Sequence, residues 1–245
     1  MPEHEIYRRL RERALALLKE LDLADTPVTV KTRALLPEEA IGRPDRDDFP
    51  LFKGKERLVQ ADFLGVPGQA YTDMPGPFTG SVRRALELPL DNNYRRAVFV
   101  AVLNAVARYA GLVENTVHCR DTGPAECSRQ LPEFIRSGYG RPKVLFVGLQ
   151  PALVQASAAH FETRVLDLDP DNIGQVKAGV LVEHPDEALP GALDWCDLAL
   201  VTGTTLVNNT IGPWLQAPKP VVFYGTTIAG AAAILGLKRF CRCST

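Results

Sequence analysis

The chain has 245 residues, 46% of them hydrophobic, with a formal net charge of −1 at pH 7. That length holds one large core or two small ones, and the near-zero charge argues against nucleic acid or a membrane surface as a partner. No apolar run is long enough to span a bilayer, and the charged opening MPEHEIYRRLRER lacks a signal core, so a cytoplasmic location is expected. The five cysteines, Cys119, Cys127, Cys196, Cys241 and Cys243, follow no framework spacing and are expected as thiols.

Ile6, Leu10, Ala14, Leu17 and Leu21 recur at helical spacing and predict an amphipathic helix over 3–21, ended by Pro27. Val28, Val30 and Thr32 begin an alternating strand. Residues 36–56 carry Pro37, Gly42, Pro44, Pro50 and Gly54 among many charges and read as loop, with the closing KGKE (Lys53 to Glu56) as a solvated turn. Strands are expected at Leu58–Leu64 and Gln69–Thr72, and PGPFTGS (75–81) leads into a short helix. Residues 93–110, NYRRAVFVAVLNAVARYA, carry the strongest helical pattern, closed by Gly111 at a left-handed cap. Asn104 lies in the apolar body of that helix. A buried amide needs partners, and spacing alone favours a structural hydrogen bond over a ligand contact.

From residue 143 the pattern changes. Lys143–Gly148, Arg164–Leu168, Val180–Val182, Leu198–Val201 and Val221–Tyr224 read as strands with helices between most of them, the signature of a parallel sheet. The expected fold class is α/β, a small α+β unit followed by a parallel-sheet unit. The boundary is expected in SGYGRP (137–142), giving units 1–137 and 138–245.

The stretch DLALVTGTTLVNNT (197–210) organises the second half. A buried strand runs into the hydroxyl-rich turn Thr202-Gly203-Thr204-Thr205, and a helical pattern with Leu206, Ile211 and Trp214 follows. A strand-to-helix turn of this kind presents backbone N–H groups and a helix dipole to an anionic ligand. Capping alone would need one or two such hydroxyls, so Thr202, Thr204, Thr205, Asn208 and Thr210 favour a ligand. Three other strand ends join it. Gly148-Leu149-Gln150-Pro151 is not GxGxxG, which argues against a dinucleotide. Asp167 to Asn172 places acids at the end of a strand, and Gly225-Thr226-Thr227 is a second small hydroxyl turn. Ligands of open parallel sheets bind above these ends.

His118-Cys119-Arg120-Asp121 with Cys127 forms a second constellation. Pro124 is expected to open a short helix, placing Cys127 near its N-terminus, where thiolate is favoured. Imidazole and sulfur suit a thiophilic transition metal such as zinc. The competing reading is a structural Cys127 sharing a face with Leu131, and an incidental His118. Cys241 and Cys243 are expected to line one face of a last strand, with nothing nearby to support them as ligands.

DLALVTGTTLVNNTI, VGLQP, DLDPDNIG and NTVHCRDTGPAEC resemble the putative heavy-metal chelation domain family. GKERLVQADFLGVPGQAYTD and AVFVAVLNAVARYAG resemble its accompanying domain, whose fold is like the N-terminal domain of enolase. The resemblance covers nearly the whole chain. It implies a Rossmann-like C-terminal domain, an enolase-N-terminal-like front domain, a cleft between them and a role in handling heavy metals or metal-bearing cofactors. Carried over by motif, the ligand-binding positions are Lys55, Glu56, Asn104, Gly148, Pro151, Asp167, Asp169, Asn172, Gly174, Thr202, Gly203, Thr204, Thr205 and Asn208. The turn at Gly225 and Thr226 joins them from the strand-end argument, and His118, Cys119 and Cys127 are the expected metal ligands. Asn209 stands where the pattern expects glycine, and asparagine can take the left-handed conformation that turn needs.

The expected function is binding of a small molecule or metal complex in the cleft, with enzymatic activity left open. A cleft of this kind is compatible with a homodimer. The alternative is a group-transfer enzyme holding a nucleoside cofactor such as S-adenosylmethionine by Asp167 or Asp169. The missing glycine fingerprint counts against it. A third possibility is a non-catalytic binder that sequesters its ligand.

Overall fold

Ile6, Leu10, Ala14 and Leu17 line the buried face of α1 (Glu3–Glu20), as their spacing predicts. The computed structural model describes residues 3–23, 25–31, 35–53 and 56–245; Thr32, Gly54 and Lys55 lie outside them. The chain continues through β1 (Pro27–Lys31), α2 (Pro37–Ala40), α3 (Pro50–Lys53), β2 (Arg57–Phe63), β3 (Val66–Thr72), β4 (Phe78–Ser81) and α4 (Val82–Leu86). The four strands form an antiparallel sheet in the order β3-β2-β1-β4. The stretch expected as loop holds two helical turns, α2 and α3. Ala40, Ile41, Phe49 and Leu51 bury against Leu58 and Ala152, so the segment is a cover tied to both sheets.

The helix α5 (Asn93–Tyr109) begins at Asn92, whose side chain accepts from the Arg95 N–H. Every residue from Arg96 to Ala107 is buried, so α5 has no polar face and must be surrounded. On one side β3 lies so close that a Cβ on Gly68 would strike the backbone of Ala101 and Ala105. Backbone carbonyls take the guanidinium of the buried Arg96: Nε donates to Val207 O at 2.6 Å and Nη1 to Leu90 O at 2.8 Å.

After α6 (Gly123–Tyr139) come β5 (Val144–Val147), α7 (Pro151–Ala158), β6 (Thr163–Leu166), β7 (Val176–Lys177), β8 (Val180–Glu183) and α8 (Pro185–Trp195). Then follow β9 (Leu198–Thr202), α9 (Thr204–Val207), α10 (Gly212–Leu215), β10 (Val221–Tyr224), α11 (Ala229–Leu235) and β11 (Arg239–Phe240). The sheet order is β11-β10-β9-β5-β6-β8-β7. Its pairs are parallel except β7 with β8, so the fold is α/β with a mostly parallel seven-stranded sheet. The helix opened by Pro124 runs 17 residues through Pro132 rather than being short, and ends at Gly140 with φ +75.

Alternate residues of the central strands feed two cores. Val144, Phe146, Leu200 and Val222 face Leu131, Ile135, Leu153 and Val154 of α6 and α7. Leu145, Ala199, Val201 and Phe223 join the same apolar core as α1, β2 and α5. The parallel and antiparallel halves therefore share a core rather than touching edge to edge.

Asn104 joins them by hydrogen bonds as well. Its Nδ2 donates to Gln69 O at 2.8 Å, Thr227 O at 3.1 Å and Thr226 O at 3.2 Å, and its Oδ1 accepts from the Gly230 N–H at 2.7 Å. Replacing Asn104 with alanine leaves these buried backbone groups without their partner. The expected loss is at least about 3 kcal/mol, since each orphaned group costs roughly 1–3 kcal/mol. Urea unfolding measures it, and a loss below about 1 kcal/mol would contradict this role.

Candidate functional site

The sheet has one topological switch point. From β5 the chain adds β6 and β8 on one side and β9, β10 and β11 on the other, and the crevice above such a point is where open parallel sheets take ligands. Gly148 ends β5 with φ +89, and a Cβ there would lie 2.7 Å from Thr202 Cγ2 and 3.1 Å from the Tyr224 hydroxyl. Tyr224 donates to Gly148 O at 2.7 Å. Pro151 starts α7, and the Gln150 side chain caps it by accepting from the Leu153 N–H at 2.6 Å.

Asp167 is a brace across this edge. Its Oδ2 accepts from the Leu149 N–H at 2.6 Å, and its Oδ1 accepts from the Asp169 N–H at 2.8 Å and from Asn172 Nδ2 at 3.3 Å. Asp169 Oδ1 in turn accepts from the Asp171 N–H at 3.1 Å. Gly174, with φ +77, is an exposed turn residue leading toward β7.

The TGTT turn spends its hydroxyls on itself. Thr202 and Thr204 share a hydroxyl hydrogen bond of 2.9 Å, and Thr205 Oγ1 donates to Thr202 O at 2.8 Å. Gly203 packs on Ile228, whose N would lie 2.7 Å from an added Cβ. The helix expected to follow is two single turns, α9 and α10, because the chain bends through Asn208 and Asn209. Asn209 takes the left-handed conformation (φ +62). A helix dipole accumulates over turns, so one turn supplies little of the anion-attracting end that the sequence suggested. Across the crevice Gly225 has φ +91, and the fully buried Thr226 Oγ1 has no hydrogen-bond partner.

The most perturbed carboxyl among the described residues is that of the half-buried Glu56, just before β2. Its carboxyl is pushed up to about 7 by burial first, then by Asp167, Asp73 and Asp169. Tyr71 is raised by burial, Glu56, Cys119 and Cys241, in that order. Tyr224 is raised by burial and then by Asp167. An acid from the antiparallel half thus shares a field with the acids at the carboxyl edge of the parallel sheet. Asp73, Tyr71 and Tyr224 were not singled out from the sequence; Tyr71 and Asp73 lie in the AYTD segment, where nothing but proximity to Glu56 marks them.

The remaining expected site residues are placed differently. Asn104 is fully buried and its amide is engaged on both sides, so it is a joint between halves rather than a ligand contact. Lys55 lies outside the described residues. His118 turns its ring edge-on to Tyr71 at 5.7 Å between centroids. Its buried Nδ1 has no hydrogen-bond partner, and burial lowers its pKa to about 4, leaving a neutral imidazole at physiological pH. Cys127 packs with Leu131 in the core under α6. Burial raises its thiol to about 11, so the helix N-terminus does not make it a thiolate as the sequence suggested. Cys119 is raised by burial and then by Cys241, Cys127 and Cys243. Cys241 and Cys243 lie beyond β11, not on a strand. Among the described residues, no group of three or more His, Cys, Asp or Glu side chains is arranged to hold a metal ion. A separate charged groove, lined by Glu38, Arg43, Asp45, Arg46, Asp47 and Phe52, lies in the cover segment. No helix of the described residues is long and apolar enough to cross a membrane.

No curated protein matches the sequence. Two solved structures share the fold. One is a DUF364-family protein of unknown function from Pyrococcus horikoshii, with TM-score 0.56 and 17% identity over 91% of this chain and 79% of that one. The other is a DUF364-family protein of unknown function from Desulfitobacterium hafniense DCB-2, with TM-score 0.52 and 17% identity over 73% of this chain and 72% of that one. Residues 134–235 match the model of DUF364, described as "Putative heavy-metal chelation". That description supports a metal-binding role and no finer one. The match runs from within α6 to the end of α11, so the parallel-sheet part of this chain is similar to the DUF364 family.

Proposed function

We propose that the chain binds a small cationic or metal-bearing ligand in the cleft where Glu56 meets the carboxyl edge of the parallel sheet. The observation that carries this reading is the Glu56 carboxyl, lifted to about 7 by burial and by Asp167, Asp73 and Asp169. A positive centre among these oxygens relieves that repulsion. Oxygen donors suit hard or borderline divalent ions and complexes that present them. Asp167, braced by two backbone N–H groups, supplies oxygens held in place, while Glu56 and Asp169 supply movable ones. The neutral His118 beyond Tyr71 adds a nitrogen donor, and the unpartnered Thr226 hydroxyl adds an oxygen for the ligand's polar rim. In this reading residues 1–137 bring Glu56 as one unit and residues 138–245 bring the strand ends as the other, and the shared core closes them into one cleft.

The nucleoside reading would use the crevice between the ends of β5 and β9. It is less well supported, because both oxygens of Asp167 already accept protein N–H groups, which leaves Asp169 as its acid.

Equilibrium dialysis of the chelator-stripped chain against Mn²⁺ tests the proposal. Binding competes with a proton on Glu56, so affinity is expected to rise between pH 6 and pH 8. Glu56→Gln and Asp169→Asn are each expected to weaken binding at least tenfold. Absence of binding at pH 8, or binding indifferent to Glu56→Gln, would overturn it.

Stability gives a second check. The Glu56 carboxyl rises from 4.5 to about 7 on folding, so its contribution is complete below pH 4.5 and is lost as pH climbs through 7. Glu56→Gln is therefore expected to stabilise the metal-free chain at pH 8 and to lose that advantage at pH 4.5. The full shift corresponds to about 3 kcal/mol, reduced to roughly 1–2 kcal/mol by partial solvent access. Thermal unfolding at the two pH values measures the difference, and an equal effect at both would contradict the assignment.

A further inference from the structure

We propose that Cys127 and Cys243 are a redox-active thiol pair, closed into a disulfide by exchange with a low-molecular-weight disulfide, so that the C-terminal segment becomes covalently bound to α6. This modification site involves no metal and does not depend on the Glu56 reading.

Three positions on one face of α6 bracket Cys243. Gly123, Cys127 and Gln130 stand at i, i+4 and i+7 of that helix, so they form one stripe. A Cβ built on Gly123 would lie 3.8 Å from Cys243 Cβ, and Gln130 Nε2 approaches Cys243 Sγ at 3.9 Å. Cys243 therefore lies over the middle of the stripe, where Cys127 stands. The two thiols are hydrogen-bonded to each other, and Cys243 packs on the apolar cluster that contains Cys127 and Phe240. Both are free thiols.

The backbone holds Cys243 in this place from either side. Val117 N donates to Thr245 O at 2.7 Å and Thr245 N returns the bond to Val117 O at 3.0 Å. Asn115 Nδ2 donates to Cys241 O at 3.3 Å, and Arg239 Nη2 donates to Asn115 O at 2.6 Å. A segment already ordered along 115–117 loses little further entropy when the sulfur bond forms. The other thiols are placed differently. Cys119 interacts with Cys241, Cys127 and Cys243 through charge rather than a thiol hydrogen bond, and Cys196 has its thiol on Leu193 O at 3.6 Å. The bland alternative is that Cys127 and Cys243 only fill space, as free cysteines often do. Packing accounts for the buried Cys127. It does not account for Cys243, which keeps partial solvent access.

Exposure assigns the two roles. Cys243 meets the incoming disulfide, and the buried Cys127 closes the bond. Burial and then Glu126 raise the Cys243 thiol, while the hydrogen bond from Cys127 and the nearby Arg129 favour its thiolate. In the first step the Cys243 thiolate attacks one sulfur of the small disulfide. One sulfur–sulfur bond forms, the old one breaks, and a small thiolate leaves. In the second step Cys127 gives up its proton and attacks Cys243 Sγ, displacing the other small thiolate. The two protein thiols lose two electrons and two protons; the small disulfide gains both and becomes two thiols. Burial pushes the Cys127 thiol up to about 11, against backbone N–H groups of Arg242 and Cys243 that favour its thiolate. Closure is therefore the slow step, and it quickens as pH rises. The bond closes a loop that contains β5 to β11, which restricts the unfolded chain and stabilises the folded one.

The test incubates the reduced full chain with glutathione disulfide at pH 8 without oxygen, then alkylates, digests and maps the linkages by mass spectrometry. The expected result is a Cys127–Cys243 linkage, with Cys119, Cys196 and Cys241 alkylated and two small thiols released per chain. The oxidised chain is expected to melt at least about 4 °C higher, and dithiothreitol is expected to reverse the rise. Cys243→Ser is expected to lose both the linkage and the rise, Cys127→Ala to stop at a mixed disulfide on Cys243, and Cys196→Ser to keep both. Linkage of Cys119 or Cys241 in place of Cys127 would overturn the proposal. So would a mixed disulfide that stalls on Cys243 of the wild type, or a wild type whose thiols all remain alkylatable; these readouts need no variant to fold.

Discussion

The molecule is organised around the side-chain amide of Asn104. It lies in α5, whose buried stretch runs unbroken from Arg96 to Ala107. A fully buried amide is costly unless each polar atom is paired, and here the pairing reaches β3, the turn before α11 and α11 itself. That requirement fixes the antiparallel sheet against the end of β10. Gly68 and Gly230 make it geometrically possible by letting backbone approach α5 on two sides, and Tyr7 and Arg96 extend the same grip to α9 by bonding to Leu206 O and Val207 O.

The proposed cleft would follow from this docking. With β3 held against α5, the start of β2 brings Glu56 toward the strand ends, and the cover segment closes on Ala152 at the start of α7. Asp167 keeps the β5 and β6 ends in register with the following loops. The buried Tyr71 hydroxyl feels Glu56 and also Cys119 and Cys241.

Much of this was legible in the sequence, and the reasons for the rest are physical. Apolar runs followed by Gly or Thr marked β5, β9 and β10, and a run closed by Asp167 marked β6. The left-handed Asn209 was readable because the resembled family's pattern expects glycine there and asparagine tolerates that conformation. Strands β7 and β11 are two residues long and owe their identity to pairing partners, so no local periodicity announces them. Pro132 reads as a helix breaker, yet α6 passes through it, because packing of Leu131 and Ile135 against the sheet overrides the local cost. The threonine turn looked like a ligand cradle, but its hydroxyls satisfy one another, which composition cannot reveal. Glu56 read as a solvated turn residue because Asp167 and Asp169 lie more than a hundred positions away. The meeting of Cys127 with Cys243 was hidden for the same reason, since only the tertiary fold brings distant segments together.

The central claim is that Glu56 sits in a cleft prepared for positive charge. Carbon-detected NMR titration of the Glu56 carboxyl, with and without saturating Zn²⁺, tests it most directly. The account predicts an inflection near 7 in the metal-free chain, displaced downward by more than one pH unit when the ion is bound. An inflection in the ordinary carboxylate range without metal, or one that zinc leaves unmoved, would contradict it.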